Sequence, residues 1–295
     1  MARTHARGRR SSRRIRAAVL ALALAGAACG GDDGSSSSAA DTTPDETAPG
    51  LVTVSLGDSY SSGAGAPPYD KASGPCVLSQ LAWVHQLDAA SPDIGSVEQR
   101  ACAGAQSSHL TGPWRDRGLP AQIPATPAPD VTLVTVTIGG NDMGFGTMVW
   151  ACTVGDCPPA TAFAEPLRTL RTNLRTSTYP ALRGAYPDAR LVHVGYPRLT
   201  PPVGEDVVGC PWLSRADQKA AADTLRALNK SIEDSTRGTG VTYVDVSDVL
   251  AGHEMCTAEP WMRNIGEENA VHPTAEGQAA ISRAVARALG LEVTD

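Results

Sequence analysis

Short apolar runs alternate with amphipathic segments from residue 51 to the end of the chain. The apolar runs are rich in Val and Thr and end at Gly, Pro, Asp or Ser, a pattern typical of β-strands. The third and fourth runs are apolar enough to be buried on both faces, as the central strands of a parallel sheet are. Five strands are therefore predicted, at 51–56, 97–102, 131–138, 190–196 and 241–246.

Segments with helical spacing of their apolar residues lie between these runs. Ser79 and Ser214 are expected to cap two of the helices, and Pro180 interrupts a long Arg- and Leu-rich segment. Pro273 suits the first turn of the last helix, and Gly290 is expected to end it. Strand–helix alternation predicts a parallel sheet with helices on both faces. The predicted helices are 79–90, 164–185, 214–235 and 273–290.

The N-terminus has the layout of an export signal. Seven arginines and no acidic residue precede or flank the start of the apolar run 17–28, which is too short to span a bilayer. The pair Arg13-Arg14 also permits a twin-arginine signal. Cys29 follows small residues and resembles the modified cysteine of a lipobox, whose thiol is diacylated. The alternative is a cysteine that is discarded with an ordinary signal peptide.

The segment after the apolar run is polar, acidic and rich in Ser, Thr and Pro, so it favours a flexible tether. We predict a signal peptide of lipoprotein type at 1–28, a tether at 29–50 and one catalytic domain at 51–295. Removing 1–28 takes away seven of 25 basic residues and none of the 31 acidic ones, which leaves a formal net charge of 18 − 31 = −13. Such an acidic surface argues against nucleic acid and anionic substrates as partners.

Six cysteines follow Cys29, and an even number in an exported chain indicates disulfides. Six cysteines allow 15 pairings, of which sequential pairing is our hypothesis. A zinc cluster is the alternative, although the spacings lack paired C-x-x-C units and an oxidising compartment disfavours it. The hypothetical pairs are Cys76–Cys102, Cys152–Cys157 and Cys210–Cys256.

Small, polar and glycine-rich segments follow the first three strands and precede the last helix. Because ligands bind beyond the carboxyl ends of parallel strands, we expect these segments to converge on one rim. They are GDSYSSG (57–63), AGAQSS (103–108), GGNDMGFG (139–146) and ENAVHPT (268–274).

These segments contain the groups that ester hydrolysis requires: a nucleophile, a base and donors for the oxyanion. Ser59 supplies a hydroxyl at a strand-to-helix turn, and His272 supplies an imidazole directly before a helix. Gly104 offers an unshielded backbone N–H, and Asn141 offers a side-chain amide. The two serines that follow Tyr60 are interpreted as turn residues.

The four segments, in this order, resemble the blocks of the SGNH (GDSL-like) hydrolase family, which is named after Ser, Gly, Asn and His. The GDSYSSG form, the six cysteines and GHEMC (252–256) are most similar to its secreted bacterial esterase and lipase branch. The resemblance implies an α/β fold, a flavodoxin-like three-layer α/β/α arrangement, here with the five-stranded parallel sheet, and serine ester hydrolysis.

Carried over, the resemblance makes Ser59 the nucleophile and His272 the base. The backbone N–H groups of Ser59 and Gly104 and the side chain of Asn141 would form the oxyanion hole. The family usually has Asp three residues before the histidine, where this chain has Asn269. Some secreted members use a backbone carbonyl there, so we predict that the carbonyl of Asn269 orients His272, with its side-chain amide as the alternative.

The sequence thus predicts an extracytoplasmic carboxylic ester hydrolase that acts on lipid or small-molecule esters. A carbohydrate O-deacetylase on the same fold is one alternative, and a catalytically inactive surface binding protein is another. We expect no metal, no cofactor and no nucleic acid, and a monomer. Membrane contact is expected only through a lipid anchor at Cys29, so the protein is either a cell-surface lipoprotein or secreted.

Overall fold

A computed structural model gives the positions of residues 50–205, 207–208 and 210–293. The predicted signal peptide, Cys29 and the predicted tether except Gly50 lie outside these described residues. Among the described helices, none has both the length and the apolar character needed to cross a membrane.

Five parallel strands form one sheet in the order β2-β1-β3-β4-β5. The fold is α/β, as predicted. The strand order reverses between β1 and β3, and in such sheets a crevice opens at this point beyond the carboxyl ends of the strands. The strands are β1 (Leu51–Gly57), β2 (Ile94–Gln99), β3 (Leu133–Thr137), β4 (Arg190–Val194) and β5 (Val241–Val244).

Helices cover both faces of the sheet. One hydrophobic cluster packs α2 and α8 against Leu133 and Val192, and the other contains residues of α5, α6 and α7 with Val134 and Val136. Strand residues alternate between these clusters because side chains along a strand point to opposite faces. The helices are α1 (Ser59–Ser62), α2 (Trp83–Ala90), α3 (Ser107–Thr111), α4 (Phe145–Thr153), α5 (Ala164–Asn173), α6 (Tyr179–Ala185), α7 (Arg215–Thr236) and α8 (Ala275–Leu289).

β2 begins and ends three residues earlier than predicted. It is an edge strand, and its first half contains Gly95 and Ser96, both exposed. An edge strand faces solvent and needs no apolar run, so its hydrophobic pattern is weak. The bounds of β2 are instead defined by its backbone hydrogen bonds to β1.

Two predicted helix starts are wrong. Ser79 caps a turn rather than α2: its hydroxyl donates to the carbonyl of Ala66 and accepts from the N–H of Leu81, and α2 begins at Trp83. Pro273 lies before α8, because Thr274 is the N-cap residue. The predicted cap at Ser214 and the predicted end at Gly290 are confirmed.

The predicted helix 164–185 runs through Pro180 without a break. A π-helical turn at Leu174–Thr178 joins α5 to α6, and Pro180 occupies the first turn of α6. A proline removes one N–H donor and crowds the preceding turn, and a π-turn is a wider turn that a helix adopts at such irregular places.

Three disulfides link the six cysteines in sequential order: Cys76–Cys102, Cys152–Cys157 and Cys210–Cys256. The first joins a 3₁₀ turn at Lys71–Cys76 to the segment after β2. It therefore fixes one of the four loops that follow or approach the carboxyl edge of the sheet.

Candidate active site

Ser59 lies at the junction of β1 and α1. Gly57 ends the strand with a φ of +126°, and a Cβ there would overlap the carbonyl of Thr137, so only glycine fits this turn. Asp58 then caps α1, its carboxylate accepting from the N–H of Tyr60 at 2.9 Å. The turn and its cap place the hydroxyl of Ser59 in the crevice next to the reversal of strand order.

His272 lies beside Ser59 although 213 positions separate them in sequence. Its Nε2 is 2.7 Å from the Oγ of Ser59. Its Nδ1 is 3.1 Å from the carbonyl oxygen of Asn269 and 2.9 Å from that of Ala270. Carbonyl oxygens only accept, so Nδ1 carries the proton and Nε2 is free to accept from the serine hydroxyl.

The backbone before His272 is curled so that two carbonyls point at one nitrogen. Asn269 and Val271 have φ values of +54° and +63°, a left-handed conformation that is unfavourable for a β-branched residue such as Val. The hydroxyl of Tyr60 donates to the carbonyl of Val271 at 2.6 Å and holds the turn. The side-chain amide of Asn269 donates to the hydroxyl of Tyr69 at 2.8 Å.

Burial lowers the pKa of His272, and hydrogen bonds to the carbonyls of Ala270 and Asn269 raise it in part. The carbonyls supply partial negative charge but no full charge, so they do not reverse the effect of desolvation. The imidazole is therefore neutral near pH 7, which is the form that accepts a proton.

Three potential donors line the same cleft, which has a volume of about 340 Å³. Within the described residues, the backbone N–H groups of Ser59 and Gly104 make no hydrogen bond. Gly104 has a φ of +83°. The amide of Asn141 donates one hydrogen to the carbonyl of Ala105 at 3.0 Å, which leaves its second hydrogen available. Ser59, His272, Gly104 and Asn141 all line this cleft, as does Asn269.

An apolar wall completes the cleft. Phe145 and Val149 come from α4, which follows the Asn141 segment, and Val271 comes from the turn before His272. Such a surface suits the hydrocarbon part of an ester.

Sequence reasoning missed three contributors to this site. The hydroxyl of Tyr196 donates to Asp58 at 2.5 Å and accepts from the N–H of Gly140 at 2.9 Å, so it joins the β1 and β3 segments. Burial raises the pKa of Asp58 to about 7. Tyr60, the second contributor, lies within the GDSYSSG segment and holds the turn before His272 through its hydroxyl. Ala270 contributes its carbonyl, which no side chain signals. For Tyr196 the available signal is its position as the last residue of the predicted strand 190–196.

Comparison with known proteins agrees with this geometry. The model of the GDSL-like lipase/acylhydrolase family matches residues 55–280. A lipase of Streptomyces rimosus is 35% identical over 233 residues, which cover 77% of this chain and 82% of that protein.

Two solved structures share the fold, each with a TM-score of 0.63 and 29% sequence identity, covering 81% of this chain and 99% of the other. One is an extracellular lipase from Streptomyces rimosus and the other a phospholipase A1 from Streptomyces albidoflavus. The family match spans more than half of the chain and includes all four loops of the cleft. This chain belongs to the GDSL-like lipase/acylhydrolase family of carboxylic ester hydrolases.

Proposed function

We propose that this carboxylic ester hydrolase works through an acyl-enzyme on Ser59. The Nε2 of His272 takes the hydroxyl proton while Oγ attacks the ester carbonyl. The tetrahedral intermediate collapses when His272 returns that proton to the leaving alcohol. Water then attacks the acyl-enzyme and loses a proton to His272. The second intermediate expels the oxygen of Ser59, which takes that proton back from His272 as the acid is released. The observation that carries the proposal is the 2.7 Å contact between Nε2 and Oγ inside the cleft.

The oxyanion of each intermediate would be held by the N–H groups of Ser59 and Gly104 and by the amide of Asn141. Donors fixed in advance stabilise charge in the transition state without reorganisation. Both backbone N–H groups lack a hydrogen-bond partner among the described residues, which supports this role. The bond from Asn141 to Ala105 supports it too, since it holds the amide in one orientation.

In this mechanism His272 is oriented by the backbone, not by a carboxylate. The carbonyls of Asn269 and Ala270 hold the Nδ1 proton and stabilise the imidazolium that forms. The side chain of Asn269 contacts Tyr69 instead. We therefore extend the predicted role of Asn269 to two adjacent carbonyls and assign none of it to the amide side chain.

The apolar wall favours esters with a hydrocarbon acyl group over acetylated carbohydrates. The test is a panel of nitrophenyl esters from acetate to palmitate, with acetylated xylan alongside. We expect activity that rises beyond acetate. Labelling with a fluorophosphonate, followed by mass analysis, should modify Ser59 in the wild type and leave the Ser59→Ala variant unlabelled. An unlabelled wild type with no activity on any ester would refute the proposal and favour a binding protein.

We further propose that the chain is exported by its N-terminal signal and is either anchored through Cys29 or secreted. Three disulfides support an oxidising compartment. Expression with labelled palmitate in a bacterium that processes lipoproteins tests the anchor. The wild type should carry label and fractionate with membranes, and Cys29→Ser should do neither. An unlabelled, released wild type would exclude the anchor.

A further inference from the structure

A tight turn at 114–119 lies against the Gly104 segment. The N–H of Trp114 donates to the carbonyl of Leu119 at 2.9 Å, and the N–H of Leu119 donates back at 3.1 Å. A 3₁₀ turn at Arg115–Arg117 occupies the space between, and Gly118 closes it with a φ of +65°. The two reciprocal bonds make this turn a fixed support for the side chain of Arg117.

The guanidinium of Arg117 reaches the backbone next to the proposed oxyanion hole. Its Nη1 donates to the carbonyl of Ala103 at 2.8 Å and to that of Pro75 at 3.4 Å. The carbonyl of Ala103 and the N–H of Gly104 belong to one peptide group. Because that group is planar and trans, holding its oxygen fixes the direction of its N–H on the opposite side.

Neighbouring contacts hold both partners of this bond in place. The Cζ of Arg117 lies 3.9 Å from the ring centroid of Trp114, a cation–π geometry, and Trp114 stacks on His109 with centroids 4.1 Å apart. On the backbone side, the N–H of Ala103 donates to the carbonyl of Cys76 at 3.1 Å, beside the Cys76–Cys102 disulfide. Ala103 is thus held on both sides. Its N–H binds the disulfide segment, and its carbonyl oxygen, which belongs to the Ala103–Gly104 peptide, binds Arg117.

We propose that Arg117 is a positioning residue for the oxyanion hole, which directs and polarises the N–H of Gly104. This inference rests on the proposed acyl-enzyme mechanism. A cation on the carbonyl oxygen draws electron density from the peptide and makes its N–H a stronger donor. Oxyanion stabilisation depends on donors being aimed at the developing charge, so a small rotation of this peptide weakens one of the three donors.

Arg117→Gln tests the proposal, with Arg115→Gln as the matched control. Arg115 lies on the same 3₁₀ turn, and its side chain makes no hydrogen bond within the described residues. We expect Arg117→Gln to lower kcat on a nitrophenyl ester by about tenfold with KM unchanged, less than the loss of a whole donor. Arg117→Lys keeps the charge without the planar fork, so its kcat should lie between the wild type and Arg117→Gln.

An alkylboronic acid supplies a readout that a merely structural role would not move. Its boron bonds to the oxygen of Ser59, whose proton passes to the Nε2 of His272, and becomes a tetrahedral anion that mimics the charged intermediate. Arg117→Gln should weaken boronate binding by the same factor as kcat, while the thermal midpoint stays close to that of Arg115→Gln. A raised KM with unchanged boronate affinity would show that Arg117 only supports the loop, and would overturn the proposal.

The two proposals fail in different experiments. Ser59→Ala that keeps its activity would refute the acyl-enzyme mechanism. If Ser59→Ala is inactive but Arg117→Gln has the same kcat and boronate affinity as Arg115→Gln, only the role of Arg117 is refuted.

Discussion

Two regions of the described structure contain the same series of contacts, from a hydroxyl to an imidazole to a backbone carbonyl. In the cleft, Ser59 contacts His272, whose other nitrogen faces two carbonyls. In the core, the hydroxyl of Tyr179 is 2.9 Å from the Nδ1 of His193, whose Nε2 is 3.1 Å from the carbonyl of Ile138. Hydrogen-bond partners alone therefore do not distinguish the proposed catalytic histidine from a structural one.

Access and surrounding donors make the difference. His193 is completely buried, with 0% exposure, and burial lowers its pKa to about 4. Its partner is a phenol whose pKa burial raises. His272 lines a cleft together with the amide of Asn141 and the N–H groups of Ser59 and Gly104, which have no partner in the described part of the chain. A neutral, oriented imidazole becomes useful for catalysis only where a substrate reaches the hydroxyl and donors await the oxyanion.

The largest expected effect is on kcat, and it distinguishes the contacts of His272 from those of His193. Ser59→Ala and His272→Ala should each lower kcat by about 10⁴-fold or more, because the nucleophile and base act as a unit. Tyr179→Phe should leave kcat within about twofold and lower the free energy of unfolding by about 1–3 kcal/mol, since it leaves a buried nitrogen unpaired. Steady-state hydrolysis and urea unfolding measure both. A large loss of kcat in Tyr179→Phe would contradict the comparison.

The second prediction concerns the oxyanion donors that line the cleft. Asn141→Ala should lower kcat by about 10²–10³-fold with little change in KM, the usual effect of losing one oxyanion donor. Its thermal midpoint should change little, because the amide is only part-buried and, within the described residues, makes one hydrogen bond, to the carbonyl of Ala105. A loss below fivefold on the nitrophenyl ester would remove Asn141 from the proposed oxyanion hole.

The burial of His193 should make the free energy of unfolding depend on pH. Folded His193 stays neutral down to about pH 4, whereas the unfolded residue takes a proton near pH 6.5, so the unfolded state binds more protons in between. Its contribution to stability is therefore lost as the pH falls through this window, by about 3 kcal/mol. Asp58 acts in the opposite direction, because its raised pKa favours the protonated folded state.

Urea unfolding of the wild type and His193→Gln at pH 7 and 4.5 isolates this effect. The variant should be less stable at pH 7 but lose less stability on acidification. NMR of the wild type offers a second measurement, in which the ring of His193 should not titrate above about pH 5. Titration near pH 6.5 would refute the assignment.

The smallest expected effect tests whether the backbone or the side chain of Asn269 orients His272. Asn269→Ala should lower kcat by less than tenfold, because the carbonyls that face His272 remain. Asn269→Gly is the matched control, since glycine keeps the left-handed φ of +54° without strain. Tyr69→Phe removes the same side-chain hydrogen bond from its other end. A collapse of kcat in Asn269→Gly but not in Tyr69→Phe would show that the amide itself orients the imidazole.

Much of the fold was predictable because buried parallel strands are continuous apolar runs. β1, β3 and β4 were found in this way. β2 was misplaced by three residues because its first half contains the exposed residues Gly95 and Ser96, which interrupt the apolar pattern. Ser59 and His272 were also singled out from sequence, since a hydroxyl and an imidazole are visible there, and the structure places them 2.7 Å apart. Ala270 and Arg117 were not, because one acts through its carbonyl and the other through a contact with a distant peptide.

By itself, the sequence determined the alternation of strands and helices, and it singled out two candidate side chains for catalysis and the loops that carry them. Those features are local. Apolar periodicity, a glycine where other residues do not fit the turn and the chemistry of a side chain all depend on residues that are neighbours in sequence. Only the tertiary structure decided that the carbonyl of Ala270 joins that of Asn269 at the imidazole, and that Arg117 contacts the peptide of Gly104. Those outcomes depend on carbonyls and N–H groups that every residue possesses, so only their positions in space distinguish one from another.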